Sequence, residues 1–239
     1  MKIAIVIAAA MLIAWGIYAY EMRRRRALIQ LQRAEFIRTY KWPAGLLEKL
    51  SGKYPDFRRK EAALVSRGLR QFFVAYLMSG KKYVAMPSQV ADDLWHEFIL
   101  YTRAYQEFCA KAFGEFLHHT PAVALAEGQK QNNEGLRRVW WFACKYDNVD
   151  PRDPSRLPLL FALDRKLNIP GGYVYHPNCK ALRESGSAGS QCGGDFHSSS
   201  YDGSTSGFGD SAAESSASSS DSGGGGDSGG GGGCGGGGD

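Results

Sequence analysis

Eighteen consecutive residues, Ile3 to Tyr20 (IAIVIAAAMLIAWGIYAY), carry no charge and no proline, and the run Arg23-Arg24-Arg25-Arg26 follows within three positions. As a helix this stretch would be roughly 27 Å long, close to the ~30 Å hydrocarbon core of a bilayer. Trp15, Tyr18 and Tyr20 lie toward its C-terminal end, where an aromatic belt would sit. The reading that follows is a single transmembrane anchor over residues 1–22. Only Lys2 and the terminal amine precede the span, whereas Arg33 and Arg38 continue the basic flank after it. Positive residues concentrate on the cytoplasmic side of a span. The expected topology is therefore inner membrane, single-pass, with the N-terminus out and the C-terminal domain in the cytoplasm. A cleaved signal peptide is the competing reading. It would carry its charge before the apolar run and end in small residues, and Tyr18-Ala19-Tyr20-Glu21 does not fit that pattern.

A cytoplasmic domain keeps its cysteines as thiols. The count of five, which is odd, also argues against a disulfide framework. Charge is divided along the chain. The net charge is +5, yet no Lys or Arg follows Arg183 and seven acids lie from Ser185 onward, which leaves about +12 on the rest (5 + 7). Anionic headgroups facing Arg23, Arg24, Arg25 and Arg26 account for part of that excess. Nucleic-acid binding by the basic body is the weaker reading, because no recognition motif accompanies the charge.

The body reads as helix throughout. Leu28, Leu31, Ala34 and Ile37 recur at helical spacing until Pro43 interrupts. Asp56 to Met78 forms a second helix, and Ser79-Gly80 stops it. Pro87-Ser88 opens a long helix to about Phe113, with Ser88 as N-cap and Gly114 just past its end. Thr120-Pro121 suits the start of another helix. Gly135 to Tyr146 and Pro158 to Leu167 complete the set, and Tyr173-Val174-Tyr175 is at most a strand stub. No alternating strand series is present. The fold class is all-α: a helical bundle behind one transmembrane helix. The expected segments are the anchor at 1–22, a basic juxtamembrane helix and linker at 23–55, the helical domain at 56–182, and a disordered acidic Gly/Ser-rich tail at 183–239.

The helix after Pro87 concentrates the chemistry. Val90, Leu94, Phe98, Tyr101, Tyr105 and Phe108 share one apolar face at 100° per residue. Asp92, His96 and Arg103 fall on another side. Asp92 and His96 are four apart, so their side chains can meet. His96 with Asp92 or Asp93 could join His118 or His119 as a metal or acid–base site. Neutral imidazole and carboxylate suit zinc or iron. Neighbouring histidines in a connector point different ways, so one of the two would reach. Without a metal, the same groups would serve as structural hydrogen bonds. Trp95, Trp140 and Trp141 read as core rather than as a ligand pocket. Cys109 reads as a buried, inert thiol. His176, Cys179, Cys192 and His197 have the x2, x12, x4 spacing of a zinc finger with its ligand types permuted, but the interval holds one large apolar residue, Leu182, and could not build a finger core. The chain has no P-loop, GxGxxG, GxSxG or HExxH.

Asp92 or Asp93, Trp95-His96, Tyr105, Cys109 and Phe113-Gly114, together with the Gly-rich C-terminus, resemble the glycine-rich domain-containing protein-like family, a domain of unknown function. Plant members read Trp-His-x-His, whereas this chain has Phe98 at the fourth position. The resemblance implies a helical domain and no settled activity. A non-catalytic cytoplasmic interaction module with a flexible tail, meeting a protein partner, is the leading expectation from sequence. A metal-dependent or acid–base enzyme using Asp92, His96 and His118 or His119 is the alternative, and no small-molecule substrate is identified.

Overall fold

In a computed structural model the described residues are 2–119, 134–177 and 191–192, with the side chains of 2, 4, 6, 8, 191 and 192 outside the description. Residues 210–239 separate as a second unit and lie wholly outside the described residues, as do the rest of the Gly/Ser tail and the expected start of a helix at Thr120-Pro121.

Seven α-helices and one short strand pair make up the described body. They are α1 (Lys2–Thr39), α2 (Leu46–Lys53), α3 (Arg59–Met78), α4 (Gln89–Leu100), α5 (Thr102–Ala112), α6 (Glu134–Tyr146) and α7 (Leu159–Lys166). β1 (Tyr175–His176) pairs in parallel with β2 (Gln191–Cys192). The fold is all-α, and the strand pair is an appendage.

Helix α1 runs unbroken for 38 residues, through both the apolar run and the arginines. Ile3, Ile5, Ile7, Leu12, Trp15 and Ile17 are exposed. Over the described residues, no helix is long and apolar enough to cross a membrane. The far end of α1 belongs to the domain. Ala34 and Ile37 are buried, as are Leu46 and Leu50 of α2, so the core reaches well before residue 56.

Helix α3 is the centre of the body. Residues 71 to 77 are all buried, which marks a helix packed on every side. Against it lie α1, α4, α6 and α7. At Gly68 an added Cβ would stand 2.4 Å from Leu163 Cδ1, so glycine is what lets α7 approach α3. Phe72, Phe73, Phe98, Phe108, Phe113 and Trp140 fill the interior at 0 to 1% exposure. Trp95 and Trp141 are buried too, as core residues should be.

The long helix expected from Pro87 to Phe113 is two helices. Tyr101 leaves the helical conformation (φ −80°, ψ 58°) and separates α4 from α5. Its hydroxyl donates to Ala44 O at 3.3 Å, and Lys49 lies 5.1 Å above its ring. The apolar face nevertheless survives: Val90, Leu94, Phe98, Tyr105 and Phe108 are all buried, and Tyr101 is half-buried. The break changes the polar side. Arg103 does not join Asp92 and His96; it is exposed and pairs with Glu107 at 3.5 Å, because α5 no longer continues the helical phase of α4.

Candidate metal centre

Position begins at the N-terminus of α4. Ser88 caps it, accepting from Ala91 N at 3.2 Å. The Ser88 hydroxyl donates to Asp164 Oδ1 at 2.7 Å. Asp164, on α7 and 2% exposed, also accepts from Gln89 N (2.7 Å), Val90 N (3.3 Å) and Tyr173 N (2.9 Å). One buried carboxylate thus satisfies free N–H groups of the first turn of α4 and complements its dipole. Asp92 lies in that anchored turn.

His96 sits one turn further on, its Nδ1 3.4 Å from Asp92 Oδ2. The second histidine comes from the connector after α5. Gly114 ends α5 at φ +77°, where its N–H bonds back to Cys109 O and Ala110 O at 3.1 Å. An added Cβ there would meet Arg33 Nη2 at 2.6 Å, and Arg33 Nη1 donates to Phe113 O at 2.9 Å. Further along, Tyr105 accepts from Trp95 Nε1 at 3.1 Å and donates to Leu117 O at 2.5 Å. These contacts tie the connector to α4 two residues before His119. His119 Nε2 then stands 3.0 Å from Asp92 Oδ1. Its ring packs 4.6 Å from that of Trp95 and 4.3 Å from that of His96.

Asp92, His96 and His119 therefore each offer one ligand atom, all within 4.8 Å of one another. Tetrahedral bonds of ~2.1 Å place neighbouring ligand atoms roughly 3.4 Å apart. His96 Nδ1 lies 3.4 Å from Asp92 Oδ2 and His119 Nε2 3.0 Å from Asp92 Oδ1, so the donor types and their spacing suit a first-row divalent ion. His118 does not join; it is exposed, with its ring 4.7 Å from Phe116. Asp93 does not join either. It is 7% exposed and binds Lys53 Nζ (2.6 Å) and Tyr54 Oη (2.5 Å). For the other spacing, His176 lies in β1, while Cys179, His197 and the Cys192 side chain fall outside the described residues. Arg23, Arg24, Arg25 and Arg26 are all exposed on α1, and Arg24 pairs with Glu21 at 3.9 Å.

The three groups stand on the wall of an open cleft of about 490 Å³. Tyr83, Met86, Phe116 and Leu117 give it apolar surface, and Lys81 and Gln89 give it polar groups. Lys81 is paired with Glu115 at 3.0 Å, which holds the Glu115 carboxyl below its usual range. Tyr76 also lines the cleft; burial, and then its bond to Glu115, push its hydroxyl up to about 12. Lys81, Tyr83 and Met86 lie in the extended connector before α4, where no periodicity marked them. The buried thiols of Cys109 and Cys144 are raised above the ordinary range by desolvation, so neither is an activated nucleophile.

A protein-family model described as UCP032817-like matches residues 32–196, more than two thirds of the chain. The chain belongs to the UCP032817-like family. That family has no assigned function. The matched region starts just before Ala34, the first buried residue of the core, and takes in every residue of the Asp92–His96–His119 cluster. The apolar run of α1 and the Gly-rich tail beyond 196 lie outside it. No curated protein and no solved structure matches the chain significantly.

Proposed function

We propose that this chain is a membrane-anchored, divalent-metal-binding protein whose helical domain holds zinc or iron(II) through Asp92, His96 and His119 at the edge of a ligand-sized cleft. One observation carries this reading: two histidines and a carboxylate, from α4 and from a connector 27 residues away, converge on one point beside open space. Three protein ligands leave coordination positions for something else, as in catalytic rather than structural sites. A divalent ion there supplies Lewis acidity to a ligand in the cleft. The chain's own residues do the rest: Asp164 fixes the turn carrying Asp92, Trp95 packs on His119, and Tyr83, Met86 and Phe116 present apolar surface to the ligand.

The test is metal content of the full chain purified in detergent, beside His96→Ala and His119→Ala. One equivalent of zinc or iron in the wild type, lost from both variants, is the expected result. A folded wild type that takes up neither metal would leave Asp92, His96 and His119 as a structural hydrogen-bond network. The likeness to glycine-rich domain-containing proteins extends this reading only through Trp95-His96 and its neighbours.

The anchor belongs to the same proposal. Its support is the uncharged run Ile3–Tyr20, the arginines directly after it and a helix that continues unbroken from one into the other. The domain then lies in the cytoplasm, with Arg23–Arg26 against anionic headgroups. A reporter fused after Asp239 should be active as a cytoplasmic fusion. Activity only as an exported fusion would reverse the topology, and release of the chain by alkaline carbonate would remove the anchor.

A further inference from the structure

On the side of the body formed by α1, α3 and α6, a notch of about 200 Å³ is lined by Arg38, Arg67 and Arg70, with Gln71, Tyr146 and Asp147. Three guanidinium groups around so small a space form a strongly cationic opening. Two carboxylates offset part of that charge: Asp147, which accepts from Leu159 N at 2.6 Å, and Glu35, which pairs with Arg38 at 3.7 Å; the three arginines still outnumber them. Gln71, 1% exposed, has both ends engaged, donating to Ala143 O at 3.3 Å and accepting from Leu160 N at 2.8 Å. The floor is therefore rigid.

The arginines are less fully used. Arg70 donates to Ser66 Oγ and to Tyr40 O and stacks 4.7 Å from Trp42, but its Nε is buried without a hydrogen-bond partner among the described residues. Burial also holds its guanidinium below the ordinary range, a cost that an anion would relieve. Arg67 is exposed and makes no ion pair among the described residues. Arg38 lies over the Tyr146 ring at 5.1 Å. Planar guanidinium forks match phosphate oxygens. The volume is below the ~300 Å³ at which drug-sized pockets begin.

The geometry points to a phosphoryl-binding site in this notch, with Arg67 and Arg38 closing on the oxygens and the Arg70 guanidinium adding positive charge at its wall. The ligand is a single phosphate group, either free or carried on an anionic lipid head. The site is separate from the Asp92–His96–His119 cluster, so neither proposal depends on the other.

The test uses the full chain in a zwitterionic detergent. Inorganic phosphate is titrated at constant ionic strength against chloride, with thermal melting as the readout. Wild type should be stabilised by phosphate. The Arg38→Gln/Arg67→Gln double variant should bind phosphate at least tenfold more weakly, and Arg103→Gln, which matches the charge change of Arg67→Gln alone at a distant position, should match wild type. Both substituted side chains are exposed, and Arg67→Gln alone serves as a second variant should the double variant melt early. Phosphate no better than chloride, or equal binding by wild type and Arg67→Gln, would overturn the proposal. A short-chain phosphatidylglycerol then names the source. Displacement of phosphate by this lipid assigns the headgroup, and binding of inorganic phosphate without such displacement assigns the free ion.

Discussion

Asp92 and Asp93 are adjacent in the chain and face different sides of α4. Asp93 turns toward α2, where it is nearly sealed and held by Lys53 and Tyr54. Asp92 turns toward the cleft, where it is partly exposed and meets two histidines. Both are paired carboxylates, but their partners differ in kind. An exposed ammonium and a phenol both meet the buried Asp93 carboxylate and close the seam between α2 and α4. Two imidazoles offer nitrogen lone pairs that metal can use once the competing protons leave. A helix one turn from its capped end can thus hold a packed face and a cleft-lining face side by side. Burial decides which is which.

Four experiments bear on that contrast. Asp164→Ala should do the most damage, because it orphans the Ser88 hydroxyl and two backbone N–H groups at the start of α4, together with Tyr173 N, and so loosens both faces together. The expected loss is about 4 kcal/mol in urea unfolding. A loss under ~1 kcal/mol would mean the cap is not what positions Asp92.

Asp92→Ala should weaken zinc or iron(II) binding by at least about 100-fold, equivalent to ~2.7 kcal/mol, by isothermal titration. Its metal-free stability should remain close to wild type. A large stability loss instead would make Asp92 a structural residue like its neighbour.

Asp93→Ala should show the mirror image. Leaving Lys53 and the Tyr54 hydroxyl without their acceptor should cost about 2 kcal/mol of stability, while metal uptake is preserved. Loss of metal in this variant would show that the two faces are coupled.

Gly114→Ala should have the smallest effect, about 1 kcal/mol, from placing a Cβ at φ +77° against Arg33. Because Gly114 starts the connector to His119, the variant should also slow or weaken metal uptake slightly, read from the same titration. Restoring the wild-type titration in this variant would separate the turn from the site.

Much of the helical layout was legible in advance. Ser88 as N-cap and Gly114 as terminator followed from side-chain chemistry and backbone freedom, and the Val90-to-Phe108 apolar face from periodicity. The break at Tyr101 was not legible. No Gly or Pro marks it, and the groups that hold Tyr101, Ala44 and Lys49, are more than 50 residues away in the chain. Arg103 was misplaced for that reason alone. The share of α1 and α2 in the core was missed in a similar way: Pro43 reads as a linker signal, but Ala34, Ile37, Leu46 and Leu50 on either side of it are buried.

Local rules acting over one helical turn were enough to bring Asp92 and His96 together from sequence, to make the body all-helical, and to mark the uncharged run before Arg23. Sequence could also say that one of His118 and His119 would reach them, since adjacent residues in a connector diverge. Which one reaches was decided by the tertiary structure. Gly114 turns the chain, Tyr105 holds Leu117, and Trp95 receives the His119 ring, leaving His118 beside Phe116. The separation of Asp92 from Asp93 was decided in the same way. Identical side chains became a buried strut and a cleft-facing carboxylate because α2 packs on one side of α4 and open space remains on the other, a difference of surroundings that no local pattern encodes.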